Sequence, residues 1–171
     1  NALKDNSCQA RSITTKNNNI INVKPEKREL GFVGSPTKIE TNKLIEIIDL
    51  NEVPVIAPLG INSEGQVFNI NADTAAGAVA KSLKARRLLI ISDVEGVLDK
   101  NKNLISEINS STANEMINNG IITGGMIPKI NNSIDVASNG VKGVVIIDGR
   151  KYHSILFELL SDTGAGTLIR K

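Results

Sequence analysis

Asn69-Ile-Asn-Ala-Asp-Thr-Ala-Ala-Gly77, read on through Ile91-Ser-Asp-Val-Glu-Gly-Val97, is the stretch that decides the fold. It begins as a polar elbow and continues as an alanine-rich segment over residues 72–83, with the small residue Gly77 in its middle. That composition predicts a helix suited to close packing on a sheet. Residues 87–92 (Arg-Leu-Leu-Ile-Ile-Ser) then form an apolar run of strand length, and a loop bearing Gly96 follows. A helix followed by a buried strand predicts an α/β protein with a parallel sheet. In such sheets ligands bind outside the carboxyl ends of the strands, so the loop from Asp93 is the first candidate site.

Upstream, the alternating runs at residues 19–24 and 29–34 predict hairpin strands at a sheet edge. Residues 43–50 place apolar side chains at 44, 45, 47, 48 and 50, the spacing of an amphipathic helix, and residues 53–59 read as a buried strand. Gly60 to Gly65 is expected to be a turn, and residues 66–70 a short strand. Downstream, residues 97–105 suggest a hairpin with a polar tip. Thr112-Ala-Asn-Glu115 has the spacing of a capping box for a short helix that stops at Gly120. Gly124-Gly125 precede a helix over residues 126–139, whose apolar face is Met126, Ile130, Ile134 and Ala137. Residues 143–147 read as a third buried strand, 152–160 as a helix and 166–169 as a closing strand. The softest boundary lies at residues 84–86.

The chain has 171 residues, of which 40% are hydrophobic and 22% charged. This is a globular composition, and no apolar run approaches the roughly 20 residues that span a bilayer. A soluble, non-membrane protein is expected. A formal charge of +2 and 2% aromatic residues with no Trp offer neither a basic stripe nor a stacking platform, which argues against nucleic-acid binding. The single cysteine, Cys8, fits a reducing, cytoplasmic compartment. One His and one Cys leave no zinc constellation, and no metal-binding residues are assigned. The start is polar and lacks both an apolar signal core and Met, and the chain is expected to be a piece of a longer protein.

Lys129 is the most informative single residue. It falls in the first turn of its helix, where the macrodipole disfavours a cation by a few tenths of a kcal/mol, ~0.3 or more. A solvated surface lysine is one explanation. Another is an anion cradle formed by the ammonium, the dipole and backbone N–H groups of the Gly-Gly loop. Asp73 sits where a carboxylate is favoured on helix grounds alone. Asn69 and Asn71 could simply cap the helix or form the turn, and Asp93 with Gly96 fits both turn chemistry and nucleotide contact. His153 reads as a neighbour of a helix cap. There is no Walker, dinucleotide, nucleophile-elbow or HExxH motif. These features suggest an α/β protein that binds an anionic ligand, without naming a reaction.

Four motifs occur in order and in register: Pro54-Val-Ile-Ala-Pro58, Asn69-Ile-Asn-Ala-Asp-Thr-Ala-Ala76, Ser92-Asp-Val-Glu-Gly-Val-Leu98 and Gly120-Ile-Ile-Thr-Gly-Gly-Met-Ile-Pro-Lys129. On these the chain resembles the acetylglutamate kinases of the amino acid kinase superfamily, from near its start to its end. The resemblance implies a three-layer sandwich with a mainly parallel central sheet. It also implies transfer of the γ-phosphoryl group of ATP to the side-chain carboxylate of N-acetyl-L-glutamate in arginine synthesis, with Mg2+ carried on the nucleotide.

By position in the motifs, residues 1–85 would be the remainder of the acetylglutamate lobe and 86–171 the ATP lobe. Lys129 matches the lysine that stabilises charge on the transferring phosphoryl group, Asp73 the carboxylate that orients catalytic lysines, and Asn69 the substrate-binding residue. Asp93, Val94, Glu95, Gly96, Val97, Leu98, Ile121, Ile122, Thr123 and Met126 match nucleotide-holding segments. The stretch from His153 to Thr167 resembles the arginine-inhibited members, which implies Glu158 and the Gly164 turn as parts of an L-arginine effector site and a homo-oligomeric full-length protein, dimer or hexamer. The family's first strand, glycine-rich loops, second essential lysine and substrate-gripping arginine lie upstream of anything present, so weak or no kinase activity is expected of this chain alone. Two other readings remain: another kinase of the superfamily, and a non-catalytic nucleotide- or arginine-binding domain. The Asn-Ile-Asn-Ala-Asp elbow with Gly-Gly-Met-Ile-Pro-Lys argues against the first.

Overall fold

The structure, a computed structural model, describes residues 2–171, and it divides into two compact units, one up to Leu83 and the other Lys84–Lys171. In the first unit the elements run α1 (Ala2–Asp5), β1 (Ala10–Ile13), β2 (Ile21–Pro25), β3 (Gly34–Ile39), α2 (Thr41–Asp49), β4 (Val53–Ile56), β5 (Leu59–Ile61), β6 (Val67–Asn69) and α3 (Ala72–Ser82). The second has β7 (Leu88–Ser92), β8 (Glu107–Asn109), α4 (Ser110–Asn118), α5 (Met126–Ser138), β9 (Val144–Asp148), α6 (Ser154–Leu160) and β10 (Gly166–Arg170).

The α/β class is as expected. Among the described residues four strand pairs are parallel, β1–β4, β2–β5, β7–β9 and β8–β10, and three are antiparallel, β2–β3, β5–β6 and β9–β10. The strands form a two-stranded sheet β1-β4 and two mixed four-stranded sheets, β3-β2-β5-β6 and β7-β9-β10-β8. A hairpin does lie at the edge of the β3-β2-β5-β6 sheet, β2–β3, but its second strand is Gly34–Ile39 rather than residues 29–34. Among the described residues no helix is long and apolar enough to cross a membrane.

In the first unit Ile13, Ile21, Val23, Leu44, Ile47, Phe68, Ile70 and Ala75 form one buried cluster. The amphipathic α2 contributes Leu44 and Ile47, while Ile45, Ile48 and Leu50 stay exposed. In the second unit β9 is buried along its whole length, and α5 seats Ile130, Val136 and Ala137 in the core. Burying a Val or Ile side chain contributes roughly 1.5–3 kcal/mol, so the uninterrupted apolar run of β9 anchors this unit.

Several local expectations are corrected. Residues 28–30 form a 3-10 turn rather than strand, because Leu30 and Gly31 N–H donate to the Lys27 and Arg28 carbonyls, and Gly31 closes the turn at φ 64°. Gly60 lies within β5, where a Cβ would come 2.8 Å from the Ile21 carbonyl oxygen. β4 is paired but not buried, with Val53 and Val55 45% and 47% exposed. The cap of α4 is Asn109: its Oδ1 accepts from the Thr112 N–H at 2.9 Å and hydroxyl at 3.0 Å. Asn is a better cap than Thr, so Thr112 becomes the third helical residue. Glu107–Asn109 forms a strand that no sequence pattern announced. Tyr152 and His153 precede α6, with His153 left-handed at φ 59°.

Candidate functional site

In the first unit the elbow between β6 and α3 is built from its own polar groups. The Asn69 N–H donates to the Phe32 carbonyl at 2.8 Å, and its side chain is exposed. Ile70 is buried, and Asn71 caps α3 by accepting from the Thr74 N–H at 3.1 Å. Asp73 then falls in the first turn, where the helix dipole favours its charge. Ala75, Gly77 and Ala80 are buried, so the small-residue face of α3 is the packing face.

In the second unit β7 and β9 run parallel in register from Leu88 opposite Val144 to Ser92 opposite Asp148. The loops after both strands therefore emerge side by side. Asp93, Val94, Glu95, Gly96, Val97 and Leu98 form the first of these loops. Asp93 and Glu95 are exposed, whereas Gly96 and Val97 are buried. The Val97 N–H donates to Thr167 Oγ1 at 2.8 Å, and that hydroxyl donates to the Ile105 carbonyl at 2.6 Å. Gly96 has φ +141°, and a Cβ there would lie 2.5 Å from Thr167 Oγ1. The loop is thus pinned to β10 at its middle and open at its front.

The second loop supplies groups that the motif reading did not single out. Arg150 grips the buried Asp148 through Nε and Nη2, both at 2.9 Å, and the Arg150 N–H adds a third bond at 2.9 Å. The Arg150 side chain and then its backbone N–H hold the Asp148 carboxyl down to about 2, from an ordinary 3.8. The Arg150 guanidinium is correspondingly raised, first by Asp148 and further by the fields of Asp93 and Glu95. Lys151 Nζ meets Glu95 Oε1 at 3.0 Å, tying one loop to the other. The local spacing Asp-Gly-Arg was a readable sign of the first pair; nothing local announced the second.

The depressed Asp148 value has a pH signature. The folded state binds a proton less readily than the unfolded one, so the stability contributed by this carboxylate is complete above about pH 4 and is lost as pH falls toward 2. Asp148→Asn is expected to unfold at lower urea concentration than wild type at pH 6, with the gap closing between pH 4 and 2. An equal gap at pH 6 and pH 2 would assign the effect to packing instead.

The third candidate segment joins α4 to α5. Ile121 and Ile122 N–H groups both donate to the Met116 carbonyl, at 2.9 and 3.1 Å, which turns the chain and buries Ile122. Thr123 is exposed and Gly124 has φ +55°. Met126 and Ile127 N–H groups turn back onto the Thr123 and Gly124 carbonyls at 3.2 Å, and Pro128 has no N–H. The anion cradle expected at this helix start is therefore narrower than the Gly-Gly pair suggested. Lys129 closes the first turn of α5 half-buried, and its carbonyl accepts from the Ser133 hydroxyl at 2.8 Å.

Glu158, on α6, is buried. Its Oε1 accepts from Arg87 Nη1 at 3.0 Å and its Oε2 from the Ala165 N–H at 2.9 Å. Gly164 turns at φ +70° with the carboxylate against it, so Glu158 and Gly164 are brought together. They border a cleft of about 470 Å³ that also includes Ser161, Thr163 and Arg87.

The second unit is thus an α/β unit whose exposed polar loops gather at the carboxyl ends of two parallel strands, the usual place for a ligand. A model of the amino acid kinase family matches residues 1–148, and the chain belongs to that family. It is 66% identical over 170 residues to an acetylglutamate kinase of Pelagibacter ubique, covering 99% of this chain and 59% of that protein. It spans 48% of the acetylglutamate kinase of a Caulobacter species, which is 51% identical over 145 residues. Among solved structures, N-acetylglutamate synthase from Neisseria gonorrhoeae, complexed with coenzyme A and N-acetyl-glutamate, superposes with a TM-score of 0.89 at 25% identity, over 99% of this chain and 39% of that one.

Proposed function

We propose that this chain is part of an acetylglutamate kinase, transferring the γ-phosphoryl group of ATP to the side-chain carboxylate of N-acetyl-L-glutamate to give N-acetylglutamyl 5-phosphate. The observation that carries the reading is the 66% identity to the Pelagibacter ubique acetylglutamate kinase across 170 residues, motifs included. In this reading residues 1–85 belong to the acetylglutamate lobe and 86–171 to the ATP lobe. The kinase works in the cytoplasm, where ATP is drawn on.

The chemistry sets what each residue must do. Both substrates are anions, and the transition state spreads charge over the equatorial phosphoryl oxygens, so alignment and charge compensation matter most. The Lys129 ammonium compensates that charge, in the first turn of α5, where the helix dipole disfavours a cation. Asp73 is a poor base toward an already ionised carboxylate and holds lysine ammonium groups in place. Asn69 donates to the acetylglutamate. Asp93, Val94, Glu95, Gly96, Val97 and Leu98, with Ile121, Ile122, Thr123 and Met126, hold the nucleotide. Mg2+ enters on the ATP phosphates; among the described residues no three His, Cys, Asp or Glu side chains gather closely enough to hold a metal ion.

The test is a coupled ADP-release assay on the protein extended to the length of its curated relatives, with N-acetylglutamate, carbamate and aspartate in parallel. Turnover with N-acetylglutamate alone is expected; preference for carbamate or aspartate would replace the reading with another kinase of the family.

L-Arginine is proposed as an inhibitor that binds the cleft at Glu158 and Gly164. Arg87 already occupies Glu158, so a free arginine guanidinium would compete with it. By calorimetry, Glu158→Gln is expected to weaken arginine binding at least ~10-fold, the scale of one charge-assisted hydrogen bond, and Arg87→Ala to strengthen it. Equal affinity in all three proteins would remove Glu158 from the site. A homo-oligomeric full-length protein belongs to the same reading. The exposed Leu156, Phe157 and Leu160 of α6 supply apolar surface for it, and a monomer by light scattering would exclude it.

A further inference from the structure

The second unit has a further polar cleft at the opposite end of β7 and β9 from the Asp93 loop, adjoining the Glu158 cleft, with which it shares Arg87, Leu168 and Arg170. Arg86 and Arg87 immediately precede β7, and Lys142 and Gly143 precede β9, so all four lie at the amino ends of these parallel strands. β10 runs antiparallel to β9, with Ile169 opposite Val144, and so delivers Arg170 to the same end. Together with Leu168 these residues line a cleft of about 250 Å³.

Four of the six lining residues are cationic and none is acidic. The chain as a whole carries only +2, so this is a local concentration rather than a reflection of a basic protein. Like charges gathered round a small cleft repel one another unless an anion compensates them.

Two of the four are oriented by carboxylates outside the cleft lining. Arg87 Nη1 is held by the buried Glu158 at 3.0 Å, and Arg170 Nε approaches Glu107 at 3.6 Å. Arg86 and Lys142 have no carboxylate partner among the described residues. The cleft is left with two positive charges in excess, the complement of a dianion. Its floor is kept low by Gly143, where a Cβ would lie 2.8 Å from Leu168 Cδ1.

We propose that this cleft is a binding site for a small phosphate-bearing dianion, separate from the Asp93 to Leu98 loop. Guanidinium forks match phosphate oxygens in pairs, and Lys142 adds a point charge. The site stands on the charges and geometry of this unit and does not depend on the kinase reading.

The test is calorimetry of the 171-residue chain with inorganic phosphate and, in parallel, ribose 5-phosphate. Binding of either supports the site, and the better binder shows whether a free or an organic phosphate is preferred. Arg86→Ser with Lys142→Ser removes the two excess charges and leaves both ion pairs in place. Affinity is expected to fall at least ~10-fold, the scale of lost charge-assisted hydrogen bonds, with an unchanged circular dichroism spectrum. Arg86→Lys retains the charge and most of the affinity. No binding of either probe, or equal affinity in the double variant, would overturn the proposal.

Discussion

Under the proposed function, Lys129→Ala is expected to lower the turnover of the protein extended to the length of its relatives at least ~10²-fold, the scale of removing one preorganised electrostatic donor from a developing charge. The proposal asks this residue for charge at the phosphoryl group, and a helix start is otherwise a poor place for a cation. The effect should therefore fall on kcat while the KM for N-acetylglutamate moves little. Folding should survive, because the substitution removes no buried apolar group: Lys129 is half-buried and the Ser133 hydroxyl bonds to its backbone carbonyl. Lys129→Arg keeps the charge but replaces a compact ammonium with a planar fork, and only partial recovery is expected. Steady-state kinetics on the three proteins checks this, and a near-normal kcat in Lys129→Ala would remove the lysine from the mechanism.

Gly96→Ala is expected to destabilise the protein by roughly 2–6 kcal/mol, summing a backbone term of about 1–3 for a non-Gly residue in a sparsely populated region and about 1–3 for overpacking. The steric part is specific. A Cβ at Gly96 would meet Thr167 Oγ1 at 2.5 Å and Leu104 Cδ1 at 2.8 Å. Thr167 is fully buried and fixes the loop by accepting the Val97 N–H, so moving it strands a buried donor. Gly120 provides the comparison: its φ is +69°, but a Cβ there would meet nothing within 4 Å. Gly120→Ala should thus cost clearly less in urea unfolding. Equal losses at the two positions would show that backbone conformation, and not the packing of Thr167, sets the requirement for glycine.

Legibility followed the range of the interactions. Helices α2, α3 and α5 and strands β7 and β9 were readable because the periodicity of Leu44 and Ile47, the alanines of residues 72–80 and the run Val144 to Ile147 are local consequences of which face is buried. The misreadings were also local, but they were contests between near neighbours. At residues 28–31 a tight turn displaced an apparent strand, and at residues 109–112 a stronger cap displaced a plausible one. The motif stretches at 69–76, 92–98 and 120–129 could be named from order and spacing, because each is continuous along the chain.

By itself the sequence determined the α/β class, the course of most elements and the motif stretches that mark the amino acid kinase family, since each depends on side chains within a turn or two of one another. Only the tertiary structure decided the partners. It inserted β10 between β9 and β8, antiparallel to one and parallel to the other. It brought Thr167 to Val97, 70 residues away, and Arg87 to Glu158, 71 residues away. It gathered Arg86, Arg87, Lys142 and Arg170 around one cleft. Hydrogen bonds and charges act over a few ångströms of space whatever their separation along the chain, so pairings of this kind leave no local pattern to read.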